Sequence, residues 1–197
     1  EIRGDTFRYS EADSQSYNAG ATVNLPVTDN FALRASLDWL DDSGFIDQNY
    51  VVKEPGVSLP NDFSDPLSDN FNSYEDTNFE ETWSGRLALR YTGDVMDSTL
   101  SYYYQDQEIG ARQINHQDAF GTGQYESAHR FLEPNDRKNE LLALEMVADL
   151  GFAQLTSATG YSEYNESGQR DQTDLLLTFE TGYELFPNFS AFTRENG

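Results

Sequence analysis

The sequence predicts an all-β protein: an antiparallel meander of about six to seven strands that forms an open, curved part of a transmembrane β-barrel. Three observations predict it. Apolar and polar residues alternate along paired runs of about ten residues, the length that crosses a bilayer as a tilted strand. Short turns join the two runs of each pair, and long loops join one pair to the next. This unit recurs about every sixty residues.

The first hairpin is predicted over 16–40. Tyr17, Val23 and Leu25 share one face of its first strand, whereas Asn18 and Thr22 share the other. A turn at 26–30 follows, and the alternation resumes to Trp39. Residues 2–9 before this hairpin are compatible with the end of a further strand.

The second hairpin is predicted over 82–106, around a turn at 93–98. Trp83, Leu87 and Leu89 alternate with Arg86 and Arg90 in its first strand. Leu, Tyr, Ser and Thr alternate in its second strand, over 99–105. The apolar face of both strands is expected to meet lipid.

The third hairpin is predicted over 139–164, and its first strand has a helical alternative. Residues 139–149 are rich in strong helix formers, and Leu141, Leu144, Glu145 and Ala148 have helical spacing. The context favours a strand, because a short turn at 149–151 and a Thr-, Ser- and Tyr-rich run follow.

Long loops over 41–81, 107–137 and 165–197 are expected on the extracellular side. The first contains Pro55, Pro60 and Pro66 and has no sustained periodicity. Leu175–Phe179 in the third is a possible strand extension. Loops of this length in a compact protein usually carry function.

Composition limits the possible partners. The formal charge of −23 excludes a nucleic acid partner, because so acidic a chain repels phosphates. The aromatic content of 14% argues against disorder. No apolar run approaches the ~18 residues of a transmembrane helix, and the mean hydropathy of −0.69 suits either a soluble protein or a membrane barrel.

Several short motifs occur in an order and spacing that resemble the barrel of TonB-dependent outer-membrane receptors. The matching residues are Asn24-Leu25-Pro26, Asp29-Asn30, Ala32-Leu33-Arg34, Asp42-Ser43-Gly44-Phe45, 102–105 and 155–161. The resemblance covers about 16–164. It implies a barrel of about 22 strands in the bacterial outer membrane, filled by an N-terminal plug. Such receptors import a scarce ligand with energy passed from an inner-membrane complex.

The resemblance also implies the partners. They are outer-membrane lipid, the plug and remaining barrel strands of a longer parent chain, the inner-membrane energising complex, and a small-molecule or oligosaccharide ligand. A ferric siderophore, a cobalamin or an oligosaccharide would fit the family. The whole of 1–197 is expected to be a partial barrel domain that cannot transport alone.

Two sets of candidate site residues follow. Arg34, Asp38, Arg86, Arg90 and Glu145 are predicted to face the lumen, where they either contact the plug or line a wet interior. Loop aromatics either stack on a ligand or pin the loops together. These are Tyr125, Phe131, Tyr183, Phe186, Phe189 and Phe192.

The sequence predicts no catalytic residue, metal or cofactor. It contains no nucleophile elbow, P-loop or dinucleotide motif. Asp62, Asp65, Asp69 and Asp76 lack EF-hand spacing, and His116 and His129 lack metal-ligand spacing. Two alternatives to the receptor remain open: a passive porin-like or adhesive barrel, and a soluble secreted β-sandwich that binds carbohydrate.

Overall fold

The computed structural model is all-β and describes residues 1–54, 71–172 and 192–196. Its elements are β1 Ile2–Phe7, β2 Ser16–Pro26, β3 Phe31–Asp42, β4 Asp47–Val52, β5 Phe71–Tyr74, β6 Glu80–Thr92, β7 Met96–Ile109, α1 Gln117–Phe120, β8 Glu126–Ser127, β9 Asn135–Asp149, β10 Gln154–Asp171 and β11 Phe192–Asn196. The helix α1 has four residues and is the only helix in the described part of the chain.

Eight strands form one large sheet in the order β1-β2-β3-β6-β7-β9-β10-β11. Every neighbouring pair in it is antiparallel. The predicted antiparallel meander is therefore confirmed. The count rises from six or seven to eight because the short strand β11 pairs with β10 at one edge. In the described residues β1 and β11 are open edges, so the sheet is not closed.

Three short turns lie side by side at one end of this sheet. They span 27–30, 93–95 and 150–153. Backbone hydrogen bonds join neighbouring turn regions: Thr92 N donates to Asn30 O at 2.8 Å, and Asp149 N donates to Val95 O at 2.8 Å. Gly151 takes a positive φ of 80°, which its turn requires and which glycine adopts without strain. All long connections leave from the opposite end, which we call the loop end.

The ambiguous segment 139–149 is a strand. Leu142 lies between Tyr102 of β7 and Tyr161 of β10, so β9 is paired along both edges. Ladder hydrogen bonds and cross-strand contacts on two sides outweigh the helix propensity of its Leu, Ala and Glu residues.

The strands extend further toward the loop end than predicted. The loop prediction is wrong for 165–171, which continues β10, and for 192–196, which forms β11. Polar cross-strand pairs hold these extensions. Arg137 opposes Glu166, and its Nε lies 3.0 Å from the Glu166 carboxylate. Polar strand ends of this kind resemble loops in sequence because they lack an apolar face.

The first two long loops, predicted over 41–81 and 107–137, fold together into a second unit. We call it the loop cap and define it as residues 43–54, 71–79 and 110–134. The long loop predicted over 41–81 contains two strands, β4 and β5. Strand β4 pairs antiparallel with β5 of the same loop and parallel with β8 of the next. Tyr50, Val52 and Phe71 form a hydrophobic core there, with Phe131 packed against it.

Candidate functional site: a two-faced sheet and its loop cap

One face of the large sheet is a continuous apolar surface that nothing in the described residues covers. Directly paired residues point to the same side, so the register places Val23, Ala35, Leu87, Tyr102 and Leu142 in one row. The large exposed side chains of this face are Ile2, Tyr17, Val23, Leu25, Phe31, Leu37, Trp83, Leu87, Leu89, Met96, Leu100, Tyr102, Leu142, Leu144, Leu155 and Tyr161. Apolar patches of this extent mark a binding or membrane surface.

Aromatic pairs bound this apolar surface at both ends. Phe31 and Tyr91 pack at 5.0 Å beside the short turns, and Trp39 and Trp83 pack at 6.0 Å toward the loop end. The two levels are eight residues apart on each strand, or about 27 Å. Both Trp Nε1 groups donate to Glu81 Oε1 at 3.2 Å, so each indole has an apolar ring beside a polar contact.

A sharp change in charge occurs just beyond the outer aromatic level. On five strands the residue that follows the last apolar or aromatic residue of this face is acidic. Asp41 and Glu81 lie one row beyond Trp39 and Trp83, Asp106 is paired with Trp83, and Glu140 and Glu163 lie one row closer to the turns. Between the two aromatic levels, the apolar face of β2, β3 and β6 carries no charged residue. The surface is therefore a band of defined height rather than a general excess of apolar residues. We call it the apolar band.

The outer boundary of the apolar band runs obliquely across the paired rows. It is marked by Tyr17, Trp39, Trp83, Tyr104 and, on β9 and β10, by the pair Leu142 and Tyr161. Going from β2 to β10, this boundary moves toward the turns by two residues at each of three steps: β2–β3, β6–β7 and β7–β9. It does not move at the β3–β6 and β9–β10 steps. The total displacement of six residues corresponds to about 20 Å along the strands, and the five steps span about 24 Å across the sheet. The boundary is therefore tilted by about 40° from the direction perpendicular to the strands. Strands of membrane barrels tilt by about 35–45°.

The opposite face is polar and holds the five predicted lumen residues. Arg34, Arg86, Arg90 and Glu145 line one concavity of about 530 Å³. Asp38 lines a neighbouring concavity of about 520 Å³, together with Arg86. The register brings Arg90 and Glu145 to either side of Thr99.

The arginines of the polar face have few acidic neighbours. Within the described residues Arg34, Arg86 and Arg90 form no salt bridge, whereas Asp38 is paired with Arg3. Arg86 Nη2 donates weakly to Ser101 Oγ at 3.4 Å, and its guanidinium lies 4.9 Å from the Tyr103 ring centre. Sequence reasoning missed the Arg3–Asp38 pair because the two residues meet only through the β1–β2–β3 register.

A buried ionic cluster ties the loop cap to the loop end of β10. Arg112 Nη2 lies 2.7 Å from Glu133 Oε1 and 2.9 Å from His129 Nε2. It also donates to the backbone oxygen of Asp171 at 3.1 Å. Asp171 N donates to Glu133 Oε1 at 2.8 Å, and the Asp171 carboxylate accepts hydrogen bonds from Arg130 N and Phe131 N. His129, Glu133 and Asp171 are all at most 2% exposed.

Ser127, His129 and Glu133 resemble a catalytic triad in composition but not in geometry. Ser127 Oγ and Glu133 Oε2 both contact His129 Nδ1, at 2.9 and 3.1 Å. The other ring nitrogen faces Arg112. A triad needs the nucleophile and the acid on opposite ring nitrogens, so this histidine cannot pass a proton between them. We assign the cluster a structural role.

The predicted loop aromatics occupy different places. Tyr125 packs edge-on against Phe45 at 6.0 Å, and Phe131 packs on the cap core. Tyr183, Phe186 and Phe189 lie outside the described residues, as do Leu175–Phe179 and Asp62, Asp65 and Asp69. Phe192 begins β11.

Several carboxylates meet at the edge of the cap. Asp76 N donates to Asp47 Oδ1 at 3.0 Å, and Asp13 N donates to Asp76 Oδ2 at 2.8 Å. Burial raises the pKa of Asp47, and the charges of Asp76, Glu126 and Asp13 add to this effect. In the described part of the chain no group of three or more acidic, histidine or cysteine side chains is arranged to hold a metal.

In comparisons with known proteins, no family model, no curated protein and no solved structure matches this chain. The described residues also contain no helix with the length and apolar character needed to cross a membrane.

Proposed function

We propose that this chain is part of the β-barrel of a TonB-dependent outer-membrane receptor that imports a scarce ligand. The observation that carries the membrane setting is the apolar band. Its aromatic margins, its abrupt acidic border and its oblique course match the lipid-facing belt of a tilted barrel. The receptor type rests on the resemblance of the motifs between 16 and 164.

The energetics of the band favour lipid over water. Leu37 is 54% exposed and Tyr161 is 70% exposed. Removing such side chains from water is favourable by about 25 cal/mol per Å² of apolar surface. Contact with lipid would supply this free energy for the apolar face of the sheet alone. A soluble sandwich would need a second sheet over this face, and the small β5-β4-β8 sheet is instead part of the loop cap.

The polar face would then line the barrel interior. Its three arginines, Arg34, Arg86 and Arg90, would contact acidic groups of a plug supplied by the parent chain. Cationic side chains with few acidic neighbours inside a narrow, partly dry space are stabilised by such a partner. This face favours a plugged receptor over a passive porin-like or adhesive barrel, which would keep the arginines in water.

In this setting the turn end and the loop end of the sheet lie on opposite sides of the outer membrane. Short turns are periplasmic and long loops extracellular in bacterial outer-membrane barrels. The loop cap would therefore stand outside the membrane, where a ligand first arrives. The outer mouth of the polar face, beneath the cap, is the place where the ligand would enter.

Two measurements on the full-length protein test this proposal. Fractionation of a Gram-negative host should place it in the outer membrane, and recovery in buffer without detergent would refute the membrane assignment. Uptake of its ligand should stop when the inner-membrane energising complex is deleted, while surface binding persists. Uptake that continues unchanged would support the passive barrel instead.

A further inference from the structure

A cavity of about 300 Å³ lies at the loop end of the polar face. Its floor is one row of directly paired residues across four strands: Asp42, Glu80, Ile109 and Asn135. Residues of the loop cap, including Phe45, Asn78 and Arg112, form the other side. The cavity thus lies between the sheet and the cap and is open to one side, with a volume at the lower end of the range for ligand pockets.

The charges around this cavity balance. Asp42, Glu80 and Glu133 face Arg112, Arg137 and Arg170. Arg112 is bound to Glu133, and Arg137 is bound to Glu166 just outside the cavity. A lining of this kind neither attracts a strongly anionic chelate nor collects a bare cation.

Hydrogen bonds hold several of the polar lining groups in fixed positions. Asn78 Oδ1 accepts from the backbone N of Phe45 at 2.7 Å and of Ile46 at 2.6 Å. Glu80 Oε1 accepts from Thr82 and from Gln107, both at 2.8 Å. Fixed polar groups bind a ligand with a smaller loss of conformational entropy than mobile ones.

Aromatic rings form part of the wall. Tyr9 and Phe45 pack with their ring centres 4.7 Å apart, and the Tyr9 hydroxyl donates to Asp42 Oδ2 at 3.0 Å. Burial and this hydrogen bond raise the pKa of Tyr9. The wall therefore offers apolar ring surface beside hydroxyl, amide and carboxylate groups.

We infer that this cavity binds a neutral, polyhydroxylated ligand: a sugar, or the terminal residue of an oligosaccharide. Sugar hydroxyls both donate and accept hydrogen bonds, which suits a lining that mixes carboxylates, guanidinium groups and the amides of Asn78 and Asn135. The C–H faces of a sugar ring suit aromatic side chains. The inference rests on the proposed function, since it names the ligand class of the receptor.

The test uses the full-length protein in detergent micelles and saturation-transfer NMR. The probes are glucose, galactose, mannose, xylose and their disaccharides, with glucuronate and ferric citrate as anionic comparators. We expect neutral sugars to bind. Tyr9→Ala and Glu80→Gln should each weaken that binding by about tenfold, the effect of losing one ring contact or one charged hydrogen bond. Tyr74→Ala changes an exposed cap tyrosine outside the cavity and should leave binding unchanged.

Three outcomes would overturn the inference: binding of only the anionic probes, no binding of any sugar, or sugar binding unaffected by Tyr9→Ala and Glu80→Gln. The same preparations are checked for membrane insertion by flotation with liposomes and for folding by circular dichroism. Protein that inserts and folds but binds no sugar leaves the receptor proposal standing. Failure of the protein to insert would contradict both the receptor proposal and the inference that the cavity binds a sugar.

Discussion

The large sheet and the loop cap solve the problem of burying apolar side chains in opposite ways. The sheet has long regular strands and leaves an apolar band exposed. The cap has little regular structure, yet it buries Ile46, Tyr50, Val51, Val52 and Phe71 to 7% exposure or less. This difference is what the proposed membrane setting predicts, since the band would then contact lipid and the cap would contact water.

The polar groups show the same contrast. In the cap, Arg112, His129 and Glu133 are joined in one network in which His129 and Glu133 are buried and Arg112 is partly exposed. On the polar face of the sheet, Arg34 and Arg90 form no salt bridge among the described residues. These polar groups of the cap are thus paired with one another and with Asp171 of β10, whereas the polar face of the sheet presents arginines that form no salt bridge among the described residues.

The largest expected effect comes from breaking the buried ionic cluster, which should destabilise the loop cap and leave the sheet unchanged. Glu133→Ala would leave Arg112 without its buried carboxylate and Asp171 N without its acceptor. We expect a loss of about 3–5 kcal/mol in local stability, because the buried Asp171 N and the buried His129 ring each lose a partner at a cost of about 1–3 kcal/mol. The partly exposed Arg112 can be solvated and adds little. Amide hydrogen exchange should accelerate in 110–134 and stay unchanged in β3 and β6. Glu54→Ala on the exposed surface is the control. Equal acceleration throughout both units would show that they unfold together.

The next effect tests the band. Leu87→Arg places a charge at the centre of the band on β6 and should destabilise the full-length protein in a bilayer by about 2–4 kcal/mol. Thr99→Arg, on the polar face beside Glu145, should change stability little. Urea unfolding of protein in liposomes measures both. If the sheet instead faced water, Leu87→Arg would be neutral, because that side chain is already 49% exposed.

These two variants also show what the sequence could and could not reveal. Alternation alone placed Leu87 and Arg86 on opposite faces, and the three hairpins followed from the turns between them. The Arg112–Glu133–Asp171 network could not be predicted, because its members meet through pairings across 59 residues of chain. The parallel contact of β4 with β8 likewise joins two loops whose short strands carry no periodic signal. Local pattern predicts strands, whereas loop packing depends on contacts that are distant in sequence.

The loop cap and the sheet should also differ, by smaller amounts, in how their stability depends on pH. The raised pKa of Asp47 means that the folded cap favours the protonated acid. Its contribution to stability is therefore full below the unfolded value of about 3.9 and is lost as pH rises through the folded pKa. Asp47→Asn keeps an oxygen acceptor for Asp76 N and should remove this part of the pH dependence. Hydrogen exchange of 71–79 at several pH values measures it, and an unchanged slope would show that another group is responsible.

The loop end of the sheet should respond in the opposite direction. Hydrogen bonds from Tyr164, Asn135 and Arg137 lower the pKa of Glu166 to about 2. Its stabilising contribution is present above the ordinary value of about 4.3 and is lost as pH falls toward the folded value. NMR titration of the Glu166 carboxyl checks this, and Tyr164→Phe should raise that pKa by removing the largest of the three effects. A midpoint near 4 in the unmodified protein would contradict it.

Whether the apolar band contacts lipid, as proposed, can be measured directly. The chain has no cysteine, so single cysteines at Leu87, Ala88, Leu89 and Arg90 can each carry a spin label in the full-length protein in liposomes. Labels at Leu87 and Leu89 should be accessible to oxygen dissolved in lipid, and labels at Ala88 and Arg90 to a water-soluble nickel chelate or to neither reagent. Equal access of the nickel chelate to all four positions would contradict a membrane-facing band.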